Sequence, residues 1–313
     1  MKCILCGNSS FDIITNKLRH NIERNVVKCT CCGLVSLENP SDEIINYSET
    51  DYHALHGPII GHKSTAQEVF DIESSLITPR INRIKSLLDQ NQQVLEVGSS
   101  TGHFLHAIRD KVSKTVGIEL NPVYSKFARE QYDLEVYDAP IEQIKSPIHS
   151  FDIIFMFQVF EHINRPLEML SNCKKFLKPN GVIYLEIPNV NDALLSIYNL
   201  STYSDFYFRA PHPYYYSEKT IKEMLRKGGF LGETKTAQDY SLFNHLYWLQ
   251  NKKPQTIRTQ GHTELAWKTN ELKNESDNLL KQWFKEKNLE YKKLLETLGA
   301  GEHICFQGKP ITS

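Results

Sequence analysis

Val94-Leu95-Glu96-Val97-Gly98-Ser99-Ser100-Thr101-Gly102-His103-Phe104-Leu105, followed by Val116-Gly117-Ile118-Glu119-Leu120-Asn121-Pro122, is the stretch that decides the fold. An apolar run ends in a turn of small residues that opens a helix. A second apolar run then ends in a carboxylate about 20 residues after the glycines, the layout of a nucleotide-binding βαβ unit. Gly98 and Gly102 let the backbone approach a ligand closely, and Glu119 stands where a carboxylate can take both ribose hydroxyls. The pattern therefore predicts an adenosine-containing cofactor. Glu96 narrows the choice, because a dinucleotide site keeps that position neutral beside the pyrophosphate. A carboxylate there suits a cationic ligand with an ammonium and a sulfonium, which favours S-adenosylmethionine over NAD.

Outward from this unit the alternation is regular. Strands are predicted at Gln93 to Val97, Thr115 to Leu120, Leu134 to Tyr137, Phe151 to Val159 and Val182 to Ile187, with helices from about His103, over Val123 to Tyr132 and over Leu167 to Leu177. Strands alternating with helices imply a mainly parallel sheet covered on both faces, with ligands beyond the carboxyl ends of the strands. Before it, Ala66 to Leu88 carries apolar residues at helical spacing, and Pro79 is expected to break or kink that helix.

With 313 residues and 40% hydrophobic content, the chain can bury a sizeable core and has the length of about two domains. The formal net charge of -1 offers no footprint for polyanionic nucleic acid or an anionic membrane, so a small-molecule substrate is expected. No window approaches a membrane span, and Met1-Lys2-Cys3-Ile4-Leu5-Cys6-Gly7 lacks the apolar core of a signal peptide. A cytoplasmic location is expected. Oligomeric state is not legible.

Cysteines cluster at the start. Cys3-x2-Cys6-Gly7 and Cys29-Thr30-Cys31-Cys32-Gly33 form paired knuckles that read as a zinc ribbon over residues 1–40. Cys3, Cys6, Cys29 and Cys32 are the expected ligands, because Cys31 lies one residue too close to Cys29 and Gly33 follows Cys32. Four thiolates close the coordination shell, so the Zn2+ is expected to be structural; disulfides are disfavoured where thiols stay reduced. Residues 41–76 read as a linker, with a turn at Asn39-Pro40-Ser41-Asp42 and an aromatic, His- and Gly-rich stretch from Tyr47 to His62. Cys173 and Cys305 read as small core residues.

Glu96-x-Gly98-x-Ser100-x-Gly102, Glu119, Asp138-Ala139, Phe151-Asp152, Gln158-Val159-Phe160-Glu161-His162-Ile163 and Leu177-Lys178-Pro179-Asn180-Gly181 together resemble the successive motifs of class I S-adenosylmethionine-dependent methyltransferases. The paired knuckles resemble the zinc-binding leader of a subgroup that methylates sugars, often nucleotide-linked, in surface-glycan and natural-product pathways. The resemblance implies a Rossmann-like seven-stranded α/β sheet over residues 77–313 whose last strand runs antiparallel, with Glu302 to Gln307 as its candidate. It also implies that Gly98, Ser99 and Gly102 line the methionine part of the cofactor, Glu119 holds the ribose, Asp138 and Ala139 edge the adenine, and Gln158 sits beside the sulfonium. Ser100 stands where the usual loop has its middle glycine.

Methyl transfer from a sulfonium is an in-line displacement, so alignment and exclusion of water dominate, and an alcohol acceptor must also lose its proton. His162 is the first candidate base and His212, in Ala210-Pro211-His212-Pro213, the second; either residue could instead only brace its loop. Glu161 reads as a hydrogen-bond acceptor in the site wall. The aromatic insertion near 198–216 can stack on a sugar or nucleobase, or form a hydrophobic lid or a dimer contact. A helical insertion is expected near 240–298, of which Asn270 to Leu298 reads as a solvated helix with one apolar stripe.

The expectation is an O-methyltransferase acting on a hydroxyl of a nucleotide-linked or phosphorylated sugar. The alternatives are a C-methyltransferase on a nucleotide sugar, an RNA methyltransferase that uses the ribbon for recognition, and a non-enzymatic cofactor sensor or scaffold.

Overall fold

The computed structural model describes residues 1–40, 57–144, 148–263 and 275–311. Most of the linker stretch from Tyr47 to His62 and the first residues of the 270–298 segment lie outside them. The ribbon contributes strands β1 (Phe11–Leu18), β2 (Ile22–Cys29) and β3 (Val35–Leu37). The central sheet is built from β4 (Gln93–Val97), β5 (Lys114–Ile118), β6 (Glu135–Tyr137), β7 (Phe151–Phe157) and β8 (Leu177–Pro188). Later come a two-residue strand, β9 (Tyr214–Tyr215), and the final pair β10 (Phe230–Ala237) and β11 (His303–Pro310).

The seven-stranded sheet has the order β10-β11-β8-β7-β4-β5-β6. Pairings from β8 through β6 are parallel, and β11 is antiparallel to both neighbours, as expected for the last strand. The central strands read as near-continuous apolar runs because both faces are covered. Their residues alternate between two cores: Leu95, Ile154, Met156 and Leu185 face one, while Val94, Ile153, Phe155 and Tyr184 face the other.

The helical stretch over 66–88 does break ahead of Pro79, which then starts a second helix. Helix Ala66–Leu76 stops, and Pro79 sits in the first turn of a new helix, Thr78–Ile84, where its missing N–H is not needed. Helix Pro122–Tyr132 begins the same way, with Asn121 accepting from the amides of Val123 and Tyr124.

The aromatic insertion is not a free loop. It folds as helix Ser201–Tyr207 and strand β9, and β9 completes the ribbon sheet in the order β1-β2-β3-β9. Tyr203, Tyr207, Phe208 and Tyr215 pack with Leu18, Val26, Val35 and Leu37 of the ribbon and with Trp248 in a separate core. Ribbon residues Cys3, Leu5, Cys29 and Leu34 meanwhile join one core of the large sheet, so ribbon and sheet share apolar packing.

Candidate active site

The turn after β4 is shaped by backbone conformation. Gly98 and Gly102 have φ of 77° and 80°, and a Cβ on Gly98 would lie 2.3 Å from the Val159 side chain. Only glycine fits there. Ser100 also adopts positive φ, 50°, the conformation that its glycine counterpart would take freely. The Ser100 amide donates to Glu119 Oε2 and the Asn121 amide to Glu119 Oε1, each at 2.7 Å, so the two successive turns lock one carboxylate. Burial raises the Glu119 pKa, against the lowering effect of the Asn121, Ser100 and Leu120 amides.

Glu96 ends β4 only 2% exposed, and its Oε2 has no hydrogen-bond partner. Desolvation pushes it up to about 8, against the pull of Arg80. A buried acid held this way is ready to be ionised by an arriving cation, so the residues present fit a cationic cofactor. Glu96, Gly98, Ser100 and Gln158 line a cavity of about 380 Å³, a size typical of small-molecule sites. Ser99, Gly102, Glu119, Asp138 and Ala139 do not line it. Ser99 is fully buried against Gly117, Gly102 is buried behind the loop, and Asp138 is exposed, 3.5 Å from Arg129. Gln158, at φ 57°, donates through its amide to the Glu186 carbonyl at 2.7 Å and places its side chain 3.3 Å from His303 Nδ1.

His162 and His212 also line this cavity and come together there, with ring centroids 4.5 Å apart and edge to face. His162 Nδ1 lies 3.1 Å from the Pro211 carbonyl, which can only accept. The proton therefore sits on Nδ1 and the lone pair on Nε2. Burial, reinforced by Arg209, lowers the His162 pKa to about 3, so the ring is neutral at physiological pH. Neighbouring Glu161 is 2% exposed, has an unpartnered Oε2 and is pushed up to about 8 by desolvation. Each of Glu161, His162 and His212 offers one ligand atom within 4.8 Å of the others.

A charge network that motif reading does not reveal reaches the cavity through Arg80, Glu302 and His303. Arg80 and Arg83 hold the two oxygens of fully buried Glu186 at 2.7 and 2.8 Å, and Arg83 also holds Asp239 at 2.7 Å. Burial would raise Glu186, but the two guanidinium groups carry it well below the usual carboxylate range. His303 stands 3.1 Å from Glu302, which outweighs burial and raises its pKa. The available signal was Glu186 itself, a lone acid inside an apolar strand. Arg19 and Arg209, which also line the cavity, carried no signal at all.

The cysteines assemble apart from this cavity. Cys3 and Cys32 sulfurs are 3.5 Å apart, as are those of Cys6 and Cys29, and all four lie within 4.8 Å of one another. Gly7 and Gly33 close the knuckles at φ of 78° and 82°, their amides donating to the Cys3 and Cys29 carbonyls. Burial opposes ionisation of Cys29, yet the Cys32 and Cys31 amides hold its pKa down to about 6. Burial raises the Cys3 and Cys32 thiols, so the fit to a tetrahedral thiolate site rests on the four converging sulfurs, and exposed Cys31 stands outside the four.

A family model described as a methyltransferase domain matches residues 71–234, more than half of the chain. The ubiquinone biosynthesis O-methyltransferase of Thiobacillus denitrificans is 24% identical over 170 residues, which cover 51% of this chain and 73% of that protein. The tRNA U34 carboxymethyltransferase of Cellvibrio japonicus is 25% identical over 166 residues, and there the match spans only 48% of the relative and 49% of this chain. The crystal structure of a SAM dependent methyltransferase from Archaeoglobus fulgidus superposes with a TM-score of 0.50 at 20% identity, covering 78% of this chain and 97% of that one. At that identity the likeness establishes the fold. Among the described residues no helix is long and apolar enough to cross a membrane.

Proposed function

Given that the chain belongs to the methyltransferase-domain family, we propose that it uses S-adenosylmethionine to O-methylate a hydroxyl of a nucleotide-linked or phosphorylated sugar. The observation that carries this reading is one cavity with two unlike walls. One is formed by the buried Glu96 carboxylate and the Gly98 turn, the other by the His162–His212 pair and the aromatic insertion, all lining the same cavity.

Glu96 holds the cofactor's ammonium in this reading, and Glu119, which does not line the cavity itself but stays partly exposed while locked by two backbone amides, keeps lone pairs for a ribose that reaches beyond the cavity. S-adenosylmethionine, when bound, supplies an electrophilic methyl group. The chain would align the acceptor and keep water out, and His162 Nε2 would take the hydroxyl proton as the methyl group exchanges its bond to sulfur for one to the acceptor oxygen, with S-adenosylhomocysteine as the leaving group. His162 suits this because its tautomer is fixed by the Pro211 carbonyl. Cys3, Cys6, Cys29 and Cys32 hold a structural zinc ion that orders the ribbon. The substrate is a small molecule, and the protein is cytoplasmic.

The tRNA-modifying relative keeps an RNA substrate in view, but a net charge of -1 speaks against it. The purified protein should be incubated with S-adenosylmethionine and, separately, nucleoside diphosphate sugars, sugar phosphates, free sugars and RNA. Formation of S-adenosylhomocysteine and the product's mass and bond position are then read by mass spectrometry and NMR. An O-methylated activated sugar is expected. Turnover of RNA alone, a methyl group on sugar carbon, or no turnover of any sugar would overturn the reading.

A further inference from the structure

Four arginines line the cavity: Arg19, Arg80, Arg209 and Arg258. Two of them are neutralised, Arg80 by Glu186 at 2.7 Å and Arg258 by Glu73 at 2.9 Å. Arg19 and Arg209 have no carboxylate within ion-pair distance among the described residues. Arg19 begins the tight β1–β2 turn of the ribbon, whose next residues His20 and Asn21 have φ of 65° and 58°. Its guanidinium lies 3.4 Å over the Phe206 ring, and its Nε donates to the Phe206 carbonyl at 2.6 Å. That anchoring uses one edge of the planar group. Nη2 is buried with no hydrogen-bond partner, and the same holds for Nε of Arg209.

Both residues are only partly exposed, and a guanidinium N–H buried without a partner is unfavourable, the more so with a second cation acting on it. Burial and then the Arg209 charge press the Arg19 pKa downward, yet a guanidinium keeps its proton at neutral pH. Glu161, the acid that feels Arg209, does not relieve the pair, since burial raises its pKa to about 8. The missing component is an anion. Its place is on the acceptor side: Arg209 acts on His162 and Glu161, whereas Arg80 acts on Glu96. Planar forks of N–H donors match the oxygens of a phosphate group better than any other side chain does.

We propose that Arg19 and Arg209 form an anion-binding subsite that grips the phosphate or diphosphate of the acceptor. The ribbon thereby enters substrate recognition directly, through the residue at its β1–β2 turn. The identity of the anion as part of a sugar acceptor rests on the function proposed above. The subsite itself rests only on the two unneutralised arginines.

Inorganic pyrophosphate is the probe, titrated calorimetrically into the full chain saturated with S-adenosylhomocysteine at low and moderate salt. Wild type should bind with marked salt sensitivity. R19Q and R209Q should each weaken binding by about 10- to 100-fold, the usual scale for a charge-assisted hydrogen bond, while S-adenosylhomocysteine affinity holds. R19K, which keeps the charge but loses the fork, should fall between. Zinc content and melting temperature identify any variant that has lost the ribbon, and R209Q, outside the ribbon, then decides. No pyrophosphate binding by wild type, or equal binding by R209Q, would overturn the subsite. So would a loss of S-adenosylhomocysteine affinity in the variants, which would assign the arginines to the cofactor's carboxylate. Methylation of a phosphate-free sugar as efficiently as its phosphorylated counterpart would overturn the subsite and leave the sugar reading standing. Arginine-dependent pyrophosphate binding without turnover of any sugar would do the reverse.

Discussion

The two walls of the cavity are built in opposite ways. On the Glu96 side, positive φ at Gly98, Ser100 and Gly102 and two backbone amides on Glu119 set the shape, all within about thirty residues of sequence. On the His162 side, the wall is assembled from residues far apart in the chain. Arg19 meets Phe206, Lys17 pairs with Asp205 at 3.0 Å, and β3 pairs with β9. A wall made of backbone recognises a ligand common to many proteins; a wall made of distant side chains can change its ligand without disturbing the first. The sharpest tests separate the two.

The largest effect should come from taking out the metal site. Structural zinc contributes roughly 10–16 kcal/mol to folding of isolated zinc-finger peptides, more than any single side-chain contact. Cys29→Ser should therefore abolish zinc binding, from about one ion per chain to none by metal analysis, and should reduce turnover to ~1% or less as β1–β3 loosen around the acceptor side. S-adenosylhomocysteine affinity should change far less. A parallel collapse of both would show that the walls are one unit, as the shared packing of Cys29 and Leu34 with the sheet core allows.

Next is the base. His162→Ala should lower kcat by about 10²- to 10⁴-fold with cofactor affinity held, and His212→Ala should cost less. Because the His162 pKa is lowered to about 3, kcat should show no acid limb near pH 6.5. An acid limb there that disappears in His162→Ala would mean that the imidazole titrates in the open, contrary to its burial. Near-normal kcat in both single variants and the double variant would leave alignment alone to carry the reaction.

Glu96 gives a smaller, pH-dependent effect. Its pKa is raised from 4.5 to about 8, so between these values the folded chain holds a proton that the unfolded chain has lost. That contribution is full at low pH and disappears as pH rises through 8. Buried histidines act with the opposite sign: His103, for example, is lowered from 6.5 to about 4, so its contribution is already complete by about pH 6.5. Between pH 6.5 and 8, stability of the cofactor-free protein should fall. Glu96→Gln should remove about 2 kcal/mol of that fall, at 1.36 kcal/mol per pH unit. Urea unfolding at the two pH values checks it. An unchanged slope would mean that Glu96 is already ionised against a partner, and would remove the argument that it waits for a cation.

The same contrast explains what was legible in the sequence. The parallel strands follow from apolar runs and glycine turns, which are local, whereas the reversed last strand is implied by the family resemblance; the cysteine spacing is local too, and it is the Cys32 sulfur, not that of Cys31, that joins the cluster. The start of a new helix at Pro79 could also have been read, since proline fits a first turn as well as it breaks an interior. Strand β9 could not. Two tyrosines in a proline-rich stretch have no period, and their pairing with Val35 and Ser36 depends on chain closure across some 180 residues. Arg19 is hidden for the same reason, because a lone arginine near a turn looks like any solvated charge until the fold buries it. Fold and cofactor side are thus written in pattern, and acceptor side in contacts.

The smallest predicted effect tests whether the cofactor wall is made of backbone alone. Ser100 holds φ of 50°, which strains a residue with a Cβ by roughly 1 kcal/mol, and its amide, not its hydroxyl, is what holds Glu119. Glycine relieves the strain but gives the unfolded chain more freedom, an opposing effect of about 0.4–1 kcal/mol. Ser100→Gly should accordingly shift stability by less than ~1 kcal/mol and leave S-adenosylmethionine affinity unchanged, since the amide remains. Ser100→Ala keeps the strain and removes only the hydroxyl, so it too should preserve affinity. If both variants lose about tenfold in cofactor binding, the hydroxyl itself touches the ligand, and side-chain recognition extends into the wall that otherwise rests on φ angles and amides.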